Sequence, residues 1–163
     1  MAFGRKKDSA DFAGTASLRM NALTAPLPPL PADALGKGSV ALLDMSAGNG
    51  MASVISYADG TTSLYLSSGG GVIGMGANPE ARDESRAFLA LAEASLDVLP
   101  PAVDIGEIPP GEVRVLVRIG DQVHGASAPK DLVRVAGHPL NKLWVQGQRV
   151  LTLIRLISEK DKQ

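Results

Sequence analysis

The chain has no cysteine, only two histidines, and few aromatic side chains among its 163 residues: one Trp, two Tyr and three Phe. Without cysteine there is no disulfide, thiol nucleophile, thiolate zinc site or cysteine-ligated iron–sulfur cluster within the chain. The scarcity of aromatic rings argues against a stacking platform for single-stranded nucleic acid. Charge of one sign is also lacking. Sixteen Lys and Arg against seventeen Asp and Glu leave a formal net charge of −1, no field for drawing in nucleic acid or an anionic membrane. The most hydrophobic run, Val150 to Ile157, is broken by Thr152 and Arg155 and falls far short of the roughly 20 residues needed to cross a bilayer. Near the start, Asp8, Ser9, Ala10 and Asp11 stand where a secretory signal needs its apolar region. The expectation is a cytoplasmic protein with no membrane span and no nucleic-acid partner.

What is present is a core: 45% of residues are hydrophobic, enough for one domain. Ser39 to Gly76 reads as three short apolar runs divided by Asn49-Gly50 and Asp59-Gly60 and closed by a glycine-rich exit. Both dipeptides suit turns that need positive φ, so the stretch predicts an antiparallel meander. With Asp59 and Gly60 as a two-residue loop, Ile55 faces Leu64 on one side of the sheet and Val54 faces Tyr65 on the other. The second of these faces, lined otherwise by Ser56 and Ser63, is a candidate interface.

Asn78-Pro79-Glu80 is a helix start: asparagine accepts from an early backbone NH, and proline at the first position loses nothing by lacking its own. Phe88, Leu91, Ala92, Ser95, Leu96 and Leu99 then recur at helical spacing up to Pro100-Pro101. Val113, Val115, Val117 and Ile119 alternate with Arg114 and Arg118, a half-buried strand with a solvated charged face. Gly120-Asp121 turns it into Gln122 to Ser127 in one of two registers. A two-residue turn places His124 beside Val117, and a three-residue loop pairs Val123 with Ile119. After His138-Pro139 a long helix carries a broad apolar side that includes Trp144, Leu153 and Leu156, wide enough for the sheet and a second subunit.

Residues 1–37 differ from the rest and read as a flexible proline-rich tail, leaving 38–163 as a single domain. Pro26-Leu27-Pro28-Pro29-Leu30-Pro31 favours extended polyproline geometry. A weak helix is expected near Ser17 to Leu23, and Leu27 and Leu30 offer docking points on the domain.

Chemistry is sparse. Gly69-Gly70-Gly71-Val72-Ile73-Gly74 matches the G-x-G-x-x-G pattern, but the strand before it belongs to a hairpin and the clear helix start comes later, so a bent strand exit explains it better than a dinucleotide site. A ligand site using Gly69, Gly70, Gly71, Gly74 and His124 remains the alternative, since successive backbone NH groups form an anion nest. Neither His124 nor His138 stands in a metal-ligand spacing, and there is no G-x-S-x-G elbow. No cofactor, metal or catalytic set is expected.

The element order βββ-α-ββ-α predicts an α+β two-layer sandwich, a five-stranded antiparallel sheet with helices on one face. This order is similar to that of small dimeric secretion-chaperone folds and of roadblock or profilin-like arrangements. The likeness covers element order and no family motif. The functional expectation is a non-catalytic interaction or accessory module that partners itself as a homodimer and an unidentified protein, with Val54, Tyr65, Trp144, Leu153 and Leu156 as interface positions. A small-ligand binder or hydrolase and a structural subunit of a larger assembly are the alternatives.

Overall fold

The computed structural model describes residues 17–72, 74 and 77–161. Helix α1 (17–24) leads by an extended segment into β1 (Gly38–Ala47), β2 (Gly50–Tyr57), β3 (Thr62–Leu66) and β4 (Gly71–Val72). Helix α2 (Pro79–Ala94), β5 (Glu112–Ile119), β6 (Gln122–Pro129), the short α3 (Lys130–Val133) and α4 (Asn141–Asp161) complete the chain. The six strands form one antiparallel sheet in the order β4-β3-β2-β1-β5-β6. The class is α+β, with two corrections. The sixth strand is β4, where the glycine-rich exit folds back on β3 and pairs Leu64 with Val72. The helices also do not share one face: α2 and α4 cover one side, α1 the other.

Strand alternation accounts for both layers. On the inner face Ala41, Leu43, Val54, Val115 and Val117 meet Phe88 and Ala92 of α2 and Leu143, Val150 and Ile154 of α4. Each large side chain so buried contributes about 1.5–3 kcal/mol. On the outer face Val40, Leu42, Ile55, Tyr65 and Leu116 meet Ala22 and Leu23 of α1. Arg114 and Arg118 lie on this outer face and are only 5% and 4% exposed, so the solvated strand face read from their alternation is corrected: α1 and the segment 100–110 cover it.

The β2–β3 register is corrected too. Val54 pairs with Leu64 and Ser53 with Tyr65, one residue off the two-residue-loop pairing, because Ala58 joins the loop. Gly60 N–H donates to Tyr57 O and Tyr57 N–H to Thr61 O, with Gly60 at φ 88°, a backbone region that suits glycine. Of the two registers open for β5–β6, the two-residue Gly120-Asp121 turn is the one formed, pairing Val117 with His124 and Ile119 with Gln122.

Helix α2 starts as its sequence implies: Asn78 Oδ1 accepts from Ala81 N–H at 3.0 Å, with Pro79 in the first turn. Gly147 lets α4 lie close on β1, since a Cβ there would sit 2.5 Å from Leu43 Cδ2. The approach to β1 is tied down by α2, whose Glu93 carboxylate accepts from Lys37 N–H (2.8 Å) and Gly38 N–H (3.1 Å). Upstream, Asp33 pairs with Arg86 at 2.8 Å, and the guanidinium holds the Asp33 carboxyl below its usual range. No helix of the described residues is long and apolar enough to cross a membrane.

Candidate functional site

The apolar side of α4 is wider than the sheet can cover. Leu143, Val150 and Ile154 are buried, while Trp144 and Leu153 sit half-buried at the flank and Val145 and Leu156 stand 41% and 52% exposed. Beside this flank α2 and α4 enclose an open cleft of about 500 Å³, lined by Trp144, Val145, Gln148, Arg149, Thr152 and Leu153 from α4 and by Glu80 and Glu84 from α2. Gln146, 8% exposed, holds the two walls together by donating to Glu84 Oε2 (2.6 Å) and to Glu84 O (3.1 Å). Lys130 Nζ of α3 lies 5.9 Å from the Trp144 ring centroid, a cation–π contact that helps orient the indole. Glu80 and Arg149 have no ion pair among the described residues, so the cleft has an acidic rim on α2 and a basic rim on α4.

Trp144 and Leu153 are thus brought together in one cleft, with Leu156 exposed further along α4. Val54 and Tyr65 are placed elsewhere and apart: Val54 is fully buried against the helices, and Tyr65 is 5% exposed on the opposite face in the α1 layer. The register shift in the hairpin separates them.

The glycines and His124 are not brought together either. Gly69, Gly70, Gly71 and Gly74 lie at or beside β4, and His124 lies in β6, at the other end of the six-strand order. Gly71 is explained by pairing, since a Cβ there would collide with the Leu64 carbonyl. Gly74 N–H donates to Ser63 Oγ at 3.2 Å. Ile73 and Gly76 of that stretch, residues 1–16 of the tail and Lys162 lie outside the described residues. His124 is half-buried in a strand whose edge is partly covered: Gly125 N–H donates to Pro100 O and Ala102 N–H to Val123 O. His138 acts at the approach to α4, where Nδ1 accepts from Leu140 N–H at 3.1 Å. Among the described residues no group of three or more His, Asp and Glu side chains is placed to hold a metal ion.

One polar cluster escaped the sequence reading. Asp44, fully buried at the centre of β1, pairs across the sheet with Arg114 on β5 and Ser53 on β2. Its Oδ2 accepts from Arg114 Nη2 (2.8 Å) and Nε (3.2 Å), and its Oδ1 from Ser53 Oγ (2.6 Å). Arg19 of α1 adds Nε to Oδ1 (3.0 Å) and Nη2 to Oδ2 (2.6 Å). The guanidiniums reach onward to backbone carbonyls, Arg19 to Ile105 O and Arg114 to Asp104 O and Gly106 O. The signal for this site was an aspartate inside the apolar run VALLDM. Neither a known protein family, nor a curated protein, nor a solved structure matches this chain.

Proposed function

We propose that the protein is a non-catalytic interaction module that works as a homodimer, associating through the cleft between α2 and α4. The observation that carries this reading is the cleft itself: an apolar floor at Trp144 and Leu153, flanked by exposed Val145 and Leu156, between an acidic and a basic rim. A two-fold arrangement of such a face is self-complementary, because Arg149 of one copy meets Glu80 of the other while the apolar floors bury each other. Small-patch dimerisation of this kind leaves the outer sheet layer for other contacts. The test is mass in solution, by light scattering or native mass spectrometry across micromolar dilution. Wild type is expected as a dimer that dissociates on dilution, with Leu153→Glu and Leu156→Glu shifted to monomer. A mass that does not respond to either substitution overturns the assignment of this face.

A further inference from the structure

Segment 100–110 arches over the outer face of the sheet and leaves a cleft beneath it. One foot stands on the edge of β6, where Pro100 O accepts from Gly125 N–H and Ala102 N–H donates to Val123 O. The crown is held by two arginines, Arg114 donating to Asp104 O and Gly106 O, and Arg19 to Ile105 O at 2.7 Å. The other foot is fixed just before β5, where Gly111 N–H donates to Ser46 Oγ at 2.9 Å. The cleft under the arch measures about 410 Å³ and lies on the opposite side of the sheet from the α2–α4 cleft. Its floor is apolar, made by Leu116 and Gly125 between the rings of Pro101 and Pro109, and Val103 on the rim is wholly exposed. Three carboxylates border it, those of Asp104, Glu107 and Glu112, and none has an ion pair among the described residues. Arg114 borders it too, but its charge is taken up by Asp44 at 2.8 Å.

An apolar floor with an acidic rim fits a segment that joins one large apolar side chain to several cations. The chain carries such a segment outside the described residues, Phe3-Gly4-Arg5-Lys6-Lys7. The described chain begins at Ser17, two residues before Arg19, whose guanidinium touches the arch itself at Ile105 O. Ten positions separate Lys7 from Ser17, a reach of up to about 33 Å. We infer that residues 3–7 dock in the arch cleft of their own chain, with Phe3 on the floor and Arg5, Lys6 and Lys7 along the carboxylate rim. Phe12 is not an equivalent anchor, because Asp8 and Asp11 stand close to it and bring the charge that the rim already has. Docking within the chain is favoured over a second copy's tail, since a short tether holds the segment at an effective concentration on the order of millimolar. This surface does not rest on the α2–α4 cleft.

Carbodiimide coupling tests the inference on the wild-type chain, because it joins an amine to a carboxylate only where the two are in contact. An equal mixture of unlabelled and nitrogen-15 chains is coupled briefly and mapped by mass spectrometry. The expected product links Lys6 or Lys7 to Asp104, Glu107 or Glu112 within one isotopic species. Phe3→Ser should weaken docking at least about tenfold, the worth of one buried phenyl ring, and the yield of the link should fall with it. Phe12→Ser should leave the yield unchanged, and high salt should lower it. Equal yields from wild type and Phe3→Ser overturn docking, because the tail then only passes by the rim. No link, or links chiefly to other carboxylates such as Glu80 and Glu84, overturns the site. Links that join the two isotopic species make a second copy's tail the occupant and overturn docking within the chain. An intrachain link reads the same whether or not the α2–α4 cleft pairs two copies, so failure of either reading leaves the other standing.

Discussion

Arg19 and Asp44, 25 positions apart, meet at two points: Nη2 to Oδ2 at 2.6 Å and Nε to Oδ1 at 3.0 Å, with both side chains out of water. The pair joins the N-terminal helix to the middle of the sheet and turns what composition suggests is a tail into a third layer. Because Arg114 shares the same carboxylate, the cluster carries two guanidiniums per aspartate, and the excess charge is spread over the carbonyls of Asp104, Ile105 and Gly106. The segment 100–110 is thereby held onto the outer face by the same charges that hold α1.

The asymmetry of that cluster predicts unequal mutational costs. Asp44→Ala strands two buried guanidiniums and should destabilise the fold by about 3–5 kcal/mol. Arg19→Ala leaves Asp44 with Arg114 and Ser53 and should cost about 1–3 kcal/mol. Ser53→Ala removes one neutral donor, at about 1 kcal/mol. Urea denaturation of the three variants checks the order, and a cost for Arg19→Ala as large as that for Asp44→Ala would contradict the pairing of Asp44 with Arg114 and Ser53.

Gly147→Ala sets two opposed effects against each other. Alanine gains about 1 kcal/mol in helix propensity. Its Cβ would stand 2.5 Å from Leu43 Cδ2, a fully buried side chain of β1 with little room to retreat, and overpacking of this kind costs about 1–3 kcal/mol. The net expectation is a loss of stability, read as a lower denaturation midpoint. A gain would mean that α4 sits further from β1 than the side-chain contact indicates.

Where one physical rule acts alone, the sequence was legible. The alternation of Val113, Val115 and Val117 marked the inner face of β5, and Asn78-Pro79 marked the start of α2. The broad apolar side of α4 pointed to Trp144 and Leu153, which the fold sets in one cleft. Where two rules compete, it was not. Asp59-Gly60 suits a two-residue turn, yet Ala58 joins the loop, and that single residue moves Val54 and Tyr65 onto opposite faces. Arg114 and Arg118 carry the same local pattern whether solvated or covered. What covers them comes partly from the proline-marked connection just upstream, Asp104 O and Gly106 O on Arg114, and partly from α1 about ninety-five positions earlier, a weak helix whose docking face no local pattern assigns to these arginines. The buried aspartate in an apolar run was the one local sign that a polar partner must arrive from elsewhere.

Tyr57 should make the fold sensitive to alkali. Burial, with Tyr65 beside it, pushes its phenol well above its ordinary value, which is about 10. The folded state therefore keeps the proton at a pH where the unfolded chain has lost it. Above pH of about 10 the unfolded state binds fewer protons than the folded one, and stability falls as pH rises. Below that pH the residue contributes no slope. Denaturation midpoints measured from pH 8 to 11 should decline above 10 in wild type and decline less in Tyr57→Phe; parallel curves for the two proteins would place the phenol in water.

The two rims of the α2–α4 cleft provide the sharpest check on self-association, because they test orientation as well as contact. In the proposed dimer, Arg149→Glu would place like charges opposite Glu80 across the two-fold, and Glu80→Lys would do the same opposite Arg149. Each exposed pair is worth only about 0.2–1 kcal/mol and occurs twice in the two-fold, so either reversal should raise the dissociation constant by about two- to thirtyfold, most visibly at low salt. Leu153→Glu, which forces a charge into the apolar floor, should do far more. The double variant carrying both reversals in one chain restores opposite charges at both ends of an isologous interface and should recover dimerisation towards wild type. Analytical ultracentrifugation at two ionic strengths separates these cases. Additive weakening in the double variant, with no recovery, would show that Glu80 and Arg149 do not face each other, and would remove the two-fold arrangement proposed for the cleft.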